Sequence, residues 1–103
     1  MILEFDNFKF KKDINTTIRR GIKNLSVNQT VLLLDKHTAQ SCFAKIYSVK
    51  YKRFCDLKDT DIINEHDTFG RKYDSLTQIM RSTYDNFDTT EIITLIDFKL
   101  DKA

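Results

Sequence analysis

The stretch INTTIRRG, residues 14–21, places two threonine hydroxyls and two arginine guanidinium groups directly before a glycine. Threonine and isoleucine favour strands, and glycine accepts the turn geometry that ends one. We therefore predict a strand over residues 16–19 that ends at Gly21. Its polar groups form a small anion or nucleotide site at the strand end, or they belong to a solvated strand that runs into a turn.

Four other segments have the composition of strands. Residues 2–5 predict a short strand. Residues 31–34 are a continuous apolar run between polar residues, which predicts a strand buried on both faces. Residues 43–51 alternate between polar and apolar side chains but change face part-way, which predicts a long strand with a bend or bulge. Residues 91–100 predict a terminal strand with one apolar face, made of Ile92, Thr94, Ile96, Phe98 and Leu100.

Three segments favour helices. Residues 8–14 alternate as a strand would, but the spacing of four between Phe10 and Ile14 suits a short helix, which we prefer. A second short helix is predicted over residues 59–65. After a polar loop at residues 66–74, Ser75 and Gln78 have the spacing of a capping box, which predicts that the last helix begins at Ser75. Its core-facing stripe consists of Tyr73, Leu76, Ile79, Met80 and Tyr84. Many short strands with separate helices indicate an α+β fold whose strands curl into a small barrel.

The 103 residues suit a single domain that spans 1–103. No apolar run exceeds four residues, whereas a membrane-spanning helix needs ~20, and the N-terminus lacks the features of a secretory signal. Cys42 and Cys55 are isolated and indicate reduced structural thiols. His37 and His66 also lack the spacing of a metal site. We therefore expect a cytoplasmic protein without metal or cofactor and favour a monomer.

The net charge of +2 conceals a difference between the two halves of the chain. Residues 1–53 carry 11 Lys and Arg against 4 Asp and Glu, whereas residues 54–103 carry 6 against 11. A basic half of this size suits a polyanion such as RNA. Alternatively, the two halves mix on the folded surface and neutralise one another.

Basic residues that could contact nucleic acid occur in two places. Residues 47–53 interleave aromatic and basic side chains, and bases stack on such rings at ~1–3 kcal/mol each while the cations hold phosphates. The alternative is a sheet with one wet face. On the predicted second strand, Arg19 shares a face with Thr17 and is the favoured phosphate ligand, and Arg20 is a further candidate on the opposite face. The remaining candidates are Lys50, Tyr51, Lys52 and Arg53.

Three stretches occur in the order and spacing of a known family. They are KKDINTTIRRG (11–21), VLLLD followed by AKIYSVKYKRFCDL (31–35 and 44–57), and DSLTQIMRSTYDNF followed by EIITLIDFKL (74–87 and 91–100). In this order the chain resembles the ASCH domains, a branch of the PUA-like superfamily, over nearly its whole length. The resemblance implies a PUA-like β-barrel of five to six mixed strands with two to three short helices and a cleft beside it. It also implies binding to RNA, nucleosides or nucleotides.

The resemblance further implies candidate catalytic residues. One group of ASCH domains resembles amidohydrolases that deacetylate acetylcytidine, and another cleaves RNA. In the amidohydrolase group a Lys, a Thr and a Glu are proposed to act together, and Thr17 falls on the position of the Thr. The position of the Lys holds Ile14 here, so Lys12 or Lys23 would have to serve as the base. A threonine hydroxyl becomes a nucleophile only when such a neighbour takes its proton.

The family's Glu precedes the last helix, where the nearest acids in this chain are Glu65 and Asp67. The candidate trio is therefore Thr17, Lys12 and Glu65. Three functions follow in order of preference. The first is a module that binds RNA or a modified nucleoside. The second is a small hydrolase, either an amidohydrolase on an acetylated nucleoside or a ribonuclease. The third is an interaction protein whose acidic half binds a partner.

Overall fold

The computed structural model describes residues 1–66 and 68–101, the side chains of residues 68 and 69 excepted. Its five strands are β1 (Ile2–Phe5), β2 (Ile14–Arg20), β3 (Thr30–Asp35), β4 (Ser41–Arg53) and β5 (Ile92–Leu100). They form one sheet in the order β1-β3-β4-β5-β2. The pair β1 and β3 is parallel and the other pairs are antiparallel. The sheet is a mixed half-barrel with β1 and β2 as its edges, so the predicted α+β fold with five mixed strands and short helices is confirmed.

The sheet carries a hydrophobic core on each face. The inner face holds Ile96 and Phe98 of β5 with apolar residues of β1, β3 and β4. The outer face holds Ile93 and Leu95 and packs against α2 (Tyr73–Thr83). Residues 93–96 are therefore all buried, although the sequence predicts only one apolar face for this strand. The α2 residues Leu76 and Met80 are buried in the outer core, which confirms the predicted stripe.

The other strands agree with the sequence in position and differ in detail. A register shift between Ile46 and Ser48 confirms the predicted bulge in β4. The burial of β3 alternates: Val31 and Leu33 are buried and Leu32 is half-buried. Burial on both faces of this strand was a wrong prediction, because the core formed with α2 contains no residue of β3.

Residues 8–13 do not form the predicted helix. The side chain of Asn15 accepts a hydrogen bond from the Lys11 N–H at 2.8 Å and donates one to the Lys11 carbonyl at 3.0 Å, so the main chain is tied to β2 instead. Phe8 and Phe10 pack on the inner core, where the Phe10 ring lies 5.6 Å from that of Phe98. Aromatic packing and the Asn15 side chain therefore outweigh the helical spacing of this segment.

The helices differ from prediction at their ends. Helix α1 (Asp59–Ile62) is shorter than predicted, because residues 64–66 leave it to pair with the free edge of β2. Helix α2 begins at Tyr73, two residues before Ser75, so Ser75 lies inside the helix and the predicted capping box is absent. Between them, residues 68–71 form a 3-10 turn. Across the described ranges, no helix is long and apolar enough to span a membrane.

Candidate functional site

A cavity of about 270 Å³ lies at the open seam of the half-barrel, between the edge strands β1 and β2. The end of β1 and residues after it form one wall, and residues 17–19 of β2 form the opposite wall. Residues 65 and 66 and one side of α2 close it from the outside. We call this space the seam cavity. It exists because the sheet stops short of closing into a full barrel.

Thr17 and Arg19 lie together in the seam cavity. Both side chains line it, and Thr17 is only 3% exposed. The Arg19 Nε donates a hydrogen bond to the Thr17 Oγ1 at 3.1 Å, and its Cζ lies 4.5 Å from the centre of the Phe5 ring. Burial lowers the pKa of Arg19, and the nearby Tyr84 and Glu65 act in the opposite sense. The predicted juxtaposition of a hydroxyl and a guanidinium group is thus present.

The remaining donors of Arg19 point to no described acceptor. Within the described part of the chain, its only hydrogen bond is the one from Nε, and no carboxylate lies within ion-pairing distance of its guanidinium group. A guanidinium group carries five N–H donors in a planar fork. The terminal nitrogens of Arg19 are therefore available to acceptor atoms of a ligand in the cavity.

Glu65 is held at the seam by its main chain. The Thr16 N–H donates to the Asn64 carbonyl at 2.8 Å, and the His66 N–H donates to the Thr16 carbonyl at 3.0 Å. The Glu65 carbonyl accepts a hydrogen bond from the Arg71 Nε at 2.9 Å. The Glu65 side chain lines the cavity and is 4% exposed. The sequence could not place this residue beside Thr17, because the two are brought together only by pairing of residues 64–66 with β2.

The Glu65 carboxylate fits between two neighbours. On one side is Gly70, where an added Cβ would overlap Oε2 and lie 2.8 Å from Cδ of Glu65. On the other side, Nδ1 of His66 lies 2.8 Å from Oε1. This approach lacks hydrogen-bond geometry, and the buried Nδ1 has no hydrogen-bond partner among the described residues. The His66 ring stands edge-on to Phe5 at 4.8 Å. The Glu65 carboxylate can therefore occupy this position only because residue 70 is a glycine.

The main chain of β2 also faces the seam. The Gly21 N–H donates to the Ile92 carbonyl of β5. Every second residue of an antiparallel strand bonds to its partner strand, so the main-chain groups of Thr17 and Arg19 also bond to β5. The main-chain N–H and carbonyl of Ile18 point away from β5. Ile18 is 6% exposed and lines the cavity. Among the described residues, neither its N–H nor its carbonyl has a hydrogen-bond partner. The seam cavity therefore contains a main-chain donor and acceptor as well as side chains.

The seam cavity is lined by three acidic and two basic side chains, so it has no excess of positive charge. Its lining includes the carboxylates of Glu4, Asp6 and Glu65 against the cations of Arg19 and Lys36. The Lys36 Nζ lies 3.1 Å from an Asp6 oxygen, so this cation is already paired. The basic half of the sequence does not produce a positively charged hollow here. The arrangement suits a neutral or singly charged polar ligand better than a polyphosphate.

Two sequence candidates lie away from the seam cavity. Lys12 lines a separate shallow hollow with Asp13 and Lys99, and the lysine in the lining of the seam cavity is Lys36 instead. The Arg20 guanidinium group is already engaged: Nε lies 2.6 Å from Glu91, and Nη1 donates to the Asp85 carbonyl at 2.9 Å. Asp67, the second acid of the sequence prediction, lies outside the described residues.

The basic and aromatic residues of β4 do not line the seam cavity either. The Lys52 Nζ lies 2.9 Å from Asp61, the Arg53 guanidinium group donates to the Thr90 carbonyl, and the Tyr51 hydroxyl donates to the Lys23 carbonyl. Lys50 is exposed. The strand turns these side chains alternately to opposite faces of the sheet. They therefore do not form one continuous surface.

Sequence reasoning missed several lining residues. Phe5 and Tyr84 supply aromatic walls, and Lys36 supplies a cation at the rim. In the sequence these residues signal a core strand, a helix stripe and a polar turn, so no local pattern marks them. The adjacent pair Glu65 and His66 was the available signal, because two titratable side chains stand together just before a turn.

Known proteins are similar to this chain in structure but not in sequence. No family model matches the sequence, and no curated protein matches it. An ASCH domain from Lactobacillus crispatus JV V101 is similar in structure, with a TM-score of 0.69, 12% identity, and coverage of 86% of this chain and 65% of that chain. The fold is that of an ASCH domain. A DUF984 protein from Enterococcus faecalis V583 has the same fold, with a TM-score of 0.61, 10% identity, and coverage of 84% and 62%. This ASCH-like chain spans less than two thirds of the length of either relative.

Proposed function

We propose that the seam cavity binds a nucleoside, either free or as a single unstacked nucleotide of RNA. The observation that carries this proposal is the convergence of Thr17, Arg19 and Glu65 on one cavity in an ASCH-like fold. Together they offer a hydroxyl, a planar set of donors and a carboxylate acceptor. A nucleobase presents donors and acceptors in one plane, and these groups are suited to recognise it.

Cavity size and wall composition support a base-sized ligand. The volume of about 270 Å³ lies just below the range of drug-sized ligand pockets, about 300–1,000 Å³, so the cavity suits a small ligand such as a single base. Phe5, His66 and Tyr84 line it; the Phe5 ring is already covered by Arg19, and the rings of His66 and Tyr84 are of the kind that stack on bases. With three carboxylates against two cations, the lining has no cluster of free cations for a sugar–phosphate backbone. In a complex with RNA, the backbone would run outside the cavity.

Calorimetric titration tests this proposal. The ligands are uridine, cytidine, N4-acetylcytidine and a six-nucleotide RNA. We expect saturable binding of at least one nucleoside and a loss of about tenfold or more in the Arg19→Met variant, because a hydrogen bond to a charged group contributes about 1.5–3 kcal/mol. Lys12→Ala is the matched control, since Lys12 lies outside the cavity. Absence of binding by all four ligands, or equal losses in both variants, would refute the proposal.

The salt dependence separates a nucleoside site from an RNA surface. Neutralisation of phosphates releases counterions, so RNA affinity falls steeply between about 50 mM and 200 mM salt when many contacts form. We expect nucleoside affinity to change little over this range. A much steeper slope for the six-nucleotide RNA would indicate additional phosphate contacts on the surface, for which exposed Lys50 is a candidate.

A second candidate function is hydrolysis of an acylated nucleoside, favoured by the presence of Thr17 and Glu65 in one cavity. In this reaction the Thr17 oxygen attacks the acyl carbonyl and its proton passes to the Glu65 carboxylate. The amine then leaves with a proton, and water hydrolyses the acyl-threonine ester. Incubation with N4-acetylcytidine tests this function, with Thr17→Val and Glu65→Gln as variants. Turnover that survives in both variants, or no turnover in the natural chain, would exclude it.

A further inference from the structure

The main chain of β2 at Ile18 is the least expected part of the seam cavity. At residue 16, one step along the same edge, the N–H and the carbonyl are bonded to Asn64 and His66. At residue 18 the equivalent groups face the cavity without a partner in the described part of the chain. Buried main-chain groups are almost always paired, because each unpaired group costs free energy comparable to a lost hydrogen bond. Ile18 therefore has the features of a binding element.

We infer that the N–H and carbonyl of Ile18 bind the edge of the nucleobase that occupies the seam cavity, an inference that rests on the proposed function. In an extended residue the N–H and the carbonyl point in the same direction, and this is why one residue can exchange two hydrogen bonds with a partner across a ladder. The complementary ligand group has an acceptor and an adjacent donor in one plane. The imide edge of uracil and the amide edge of hypoxanthine have this pattern.

The neighbouring side chains complete this assignment. Thr17 and Arg19 flank Ile18 on β2, and their side chains lie on the inner face while the Ile18 side chain packs in the outer core. A planar base that meets the Ile18 main chain is therefore bordered by the Arg19 donors. Because the N–H and carbonyl that would contact the base belong to the main chain, no side-chain motif in the sequence identifies them. The predicted specificity is for bases whose ring N–H next to a carbonyl is unblocked.

Paired nucleosides test the ligand side of the inference. Uridine is compared with 3-methyluridine, and inosine with 1-methylinosine, by calorimetry on the complete chain. Methylation removes the ring N–H that would donate to the Ile18 carbonyl. We expect the affinity to fall by about tenfold or more within each pair. Equal affinities within both pairs would overturn the inference even if the nucleosides bind.

An ester substitution tests the protein side. A chain of this length is accessible to chemical synthesis, and replacing the amide between Thr17 and Ile18 by an ester removes the Ile18 N–H. The matched control is the ester between Arg19 and Arg20, which removes an N–H that also points away from β5 but lies outside the cavity lining. Each ester also makes one carbonyl of the ladder between β2 and β5 a weaker hydrogen-bond acceptor, so this effect is common to both proteins. We expect uridine affinity to fall about tenfold in the first protein only; equal affinities in the two esters would overturn the inference.

Amide hydrogen exchange provides a readout without ligand. In the free protein, the Thr17 and Arg19 amides are bonded to β5 and should exchange slowly, while the Ile18 amide should exchange much faster. On addition of uridine, the Ile18 amide should become protected. Slow exchange of Ile18 in the free protein would overturn the inference whether or not a nucleoside binds. If the Ile18 amide exchanges fast in the free protein but no nucleoside binds, the proposed function is overturned instead, and a base is then not the ligand of this site.

Discussion

Replacement of Gly70 by alanine should displace the Glu65 carboxylate from the seam cavity. A Cβ at residue 70 would overlap Oε2 of Glu65 and lie 2.8 Å from Cδ and 3.2 Å from Cγ, all inside ordinary contact distance. Gly70 does not have the positive φ that favours glycine, so alanine meets no backbone strain there. At such a position the change from Gly to Ala would otherwise stabilise the fold by about 0.4–1 kcal/mol. A loss of stability therefore isolates the steric clash.

The expected magnitude follows from overpacking of a buried site. Insertion of one methyl group into a packed interior costs about 1–3 kcal/mol. For a domain of about 100 residues, each kcal/mol lowers the Tm by about 4–8 °C. In the Glu65→Ala background the clash disappears, and Gly70→Ala should then be neutral or slightly stabilising. The assay is a double-mutant cycle by thermal and urea unfolding of the four proteins, with an expected coupling of about 1–3 kcal/mol.

Gly21→Ala provides the matched control, because the two glycines of the chain serve different purposes. Gly21 has a φ of 76°, with no atom within 4 Å of an added Cβ, so its substitution strains the backbone without any clash. We expect it to cost about 1–2 kcal/mol whatever residue stands at position 65. Uridine binding should be lost in Gly70→Ala and retained in Gly21→Ala. An equal cost of Gly70→Ala in the natural chain and in the Glu65→Ala background would refute the reasoning.

Three further predictions concern the rest of the fold and the site. Hydrogen bonds from Arg20 hold the pKa of Glu91 below its ordinary value of 4.5, so this pair stabilises the folded state above that pH and its contribution is lost as the pH falls through the lowered pKa. The acid limb of a Tm profile should therefore be shallower in Glu91→Gln. Leu76→Ala should destabilise the fold by about 2–5 kcal/mol in urea unfolding, because Leu76 is 2% exposed in the core between α2 and the sheet. Arg19→Lys should weaken nucleoside binding about tenfold in calorimetry although it keeps the charge, because lysine lacks the planar fork of donors; an unchanged affinity would show that Arg19 acts by charge alone.

The sequence predicts the strands of this chain better than its site. Alternation and β-branched residues identify β2 and β5, because each strand forms its own local pattern. The helix predicted over residues 8–14 fails because the Asn15 side chain bonds the Lys11 main chain, a contact that periodicity does not register. The seam cavity requires β1 to stand opposite β2, although the two strands are the two edges of the sheet. That arrangement depends on the strand order, which local spacing does not determine.

The distribution of charge shows why composition alone suggests a different ligand. The first half of the chain is strongly basic, yet Arg20 pairs with Glu91 and Lys52 pairs with Asp61 of the acidic second half. These two pairs agree with the alternative in which the two halves mix on the folded surface, for two of the eleven cations of the first half. Arg19 is a half-buried cation of the cavity lining with no carboxylate within ion-pairing distance among the described residues, and it stands beside the open main chain of Ile18. Because the cavity lining holds three carboxylates against two cations while these two groups remain available, selectivity should depend on hydrogen bonds inside the seam and not on the net charge of the ligand.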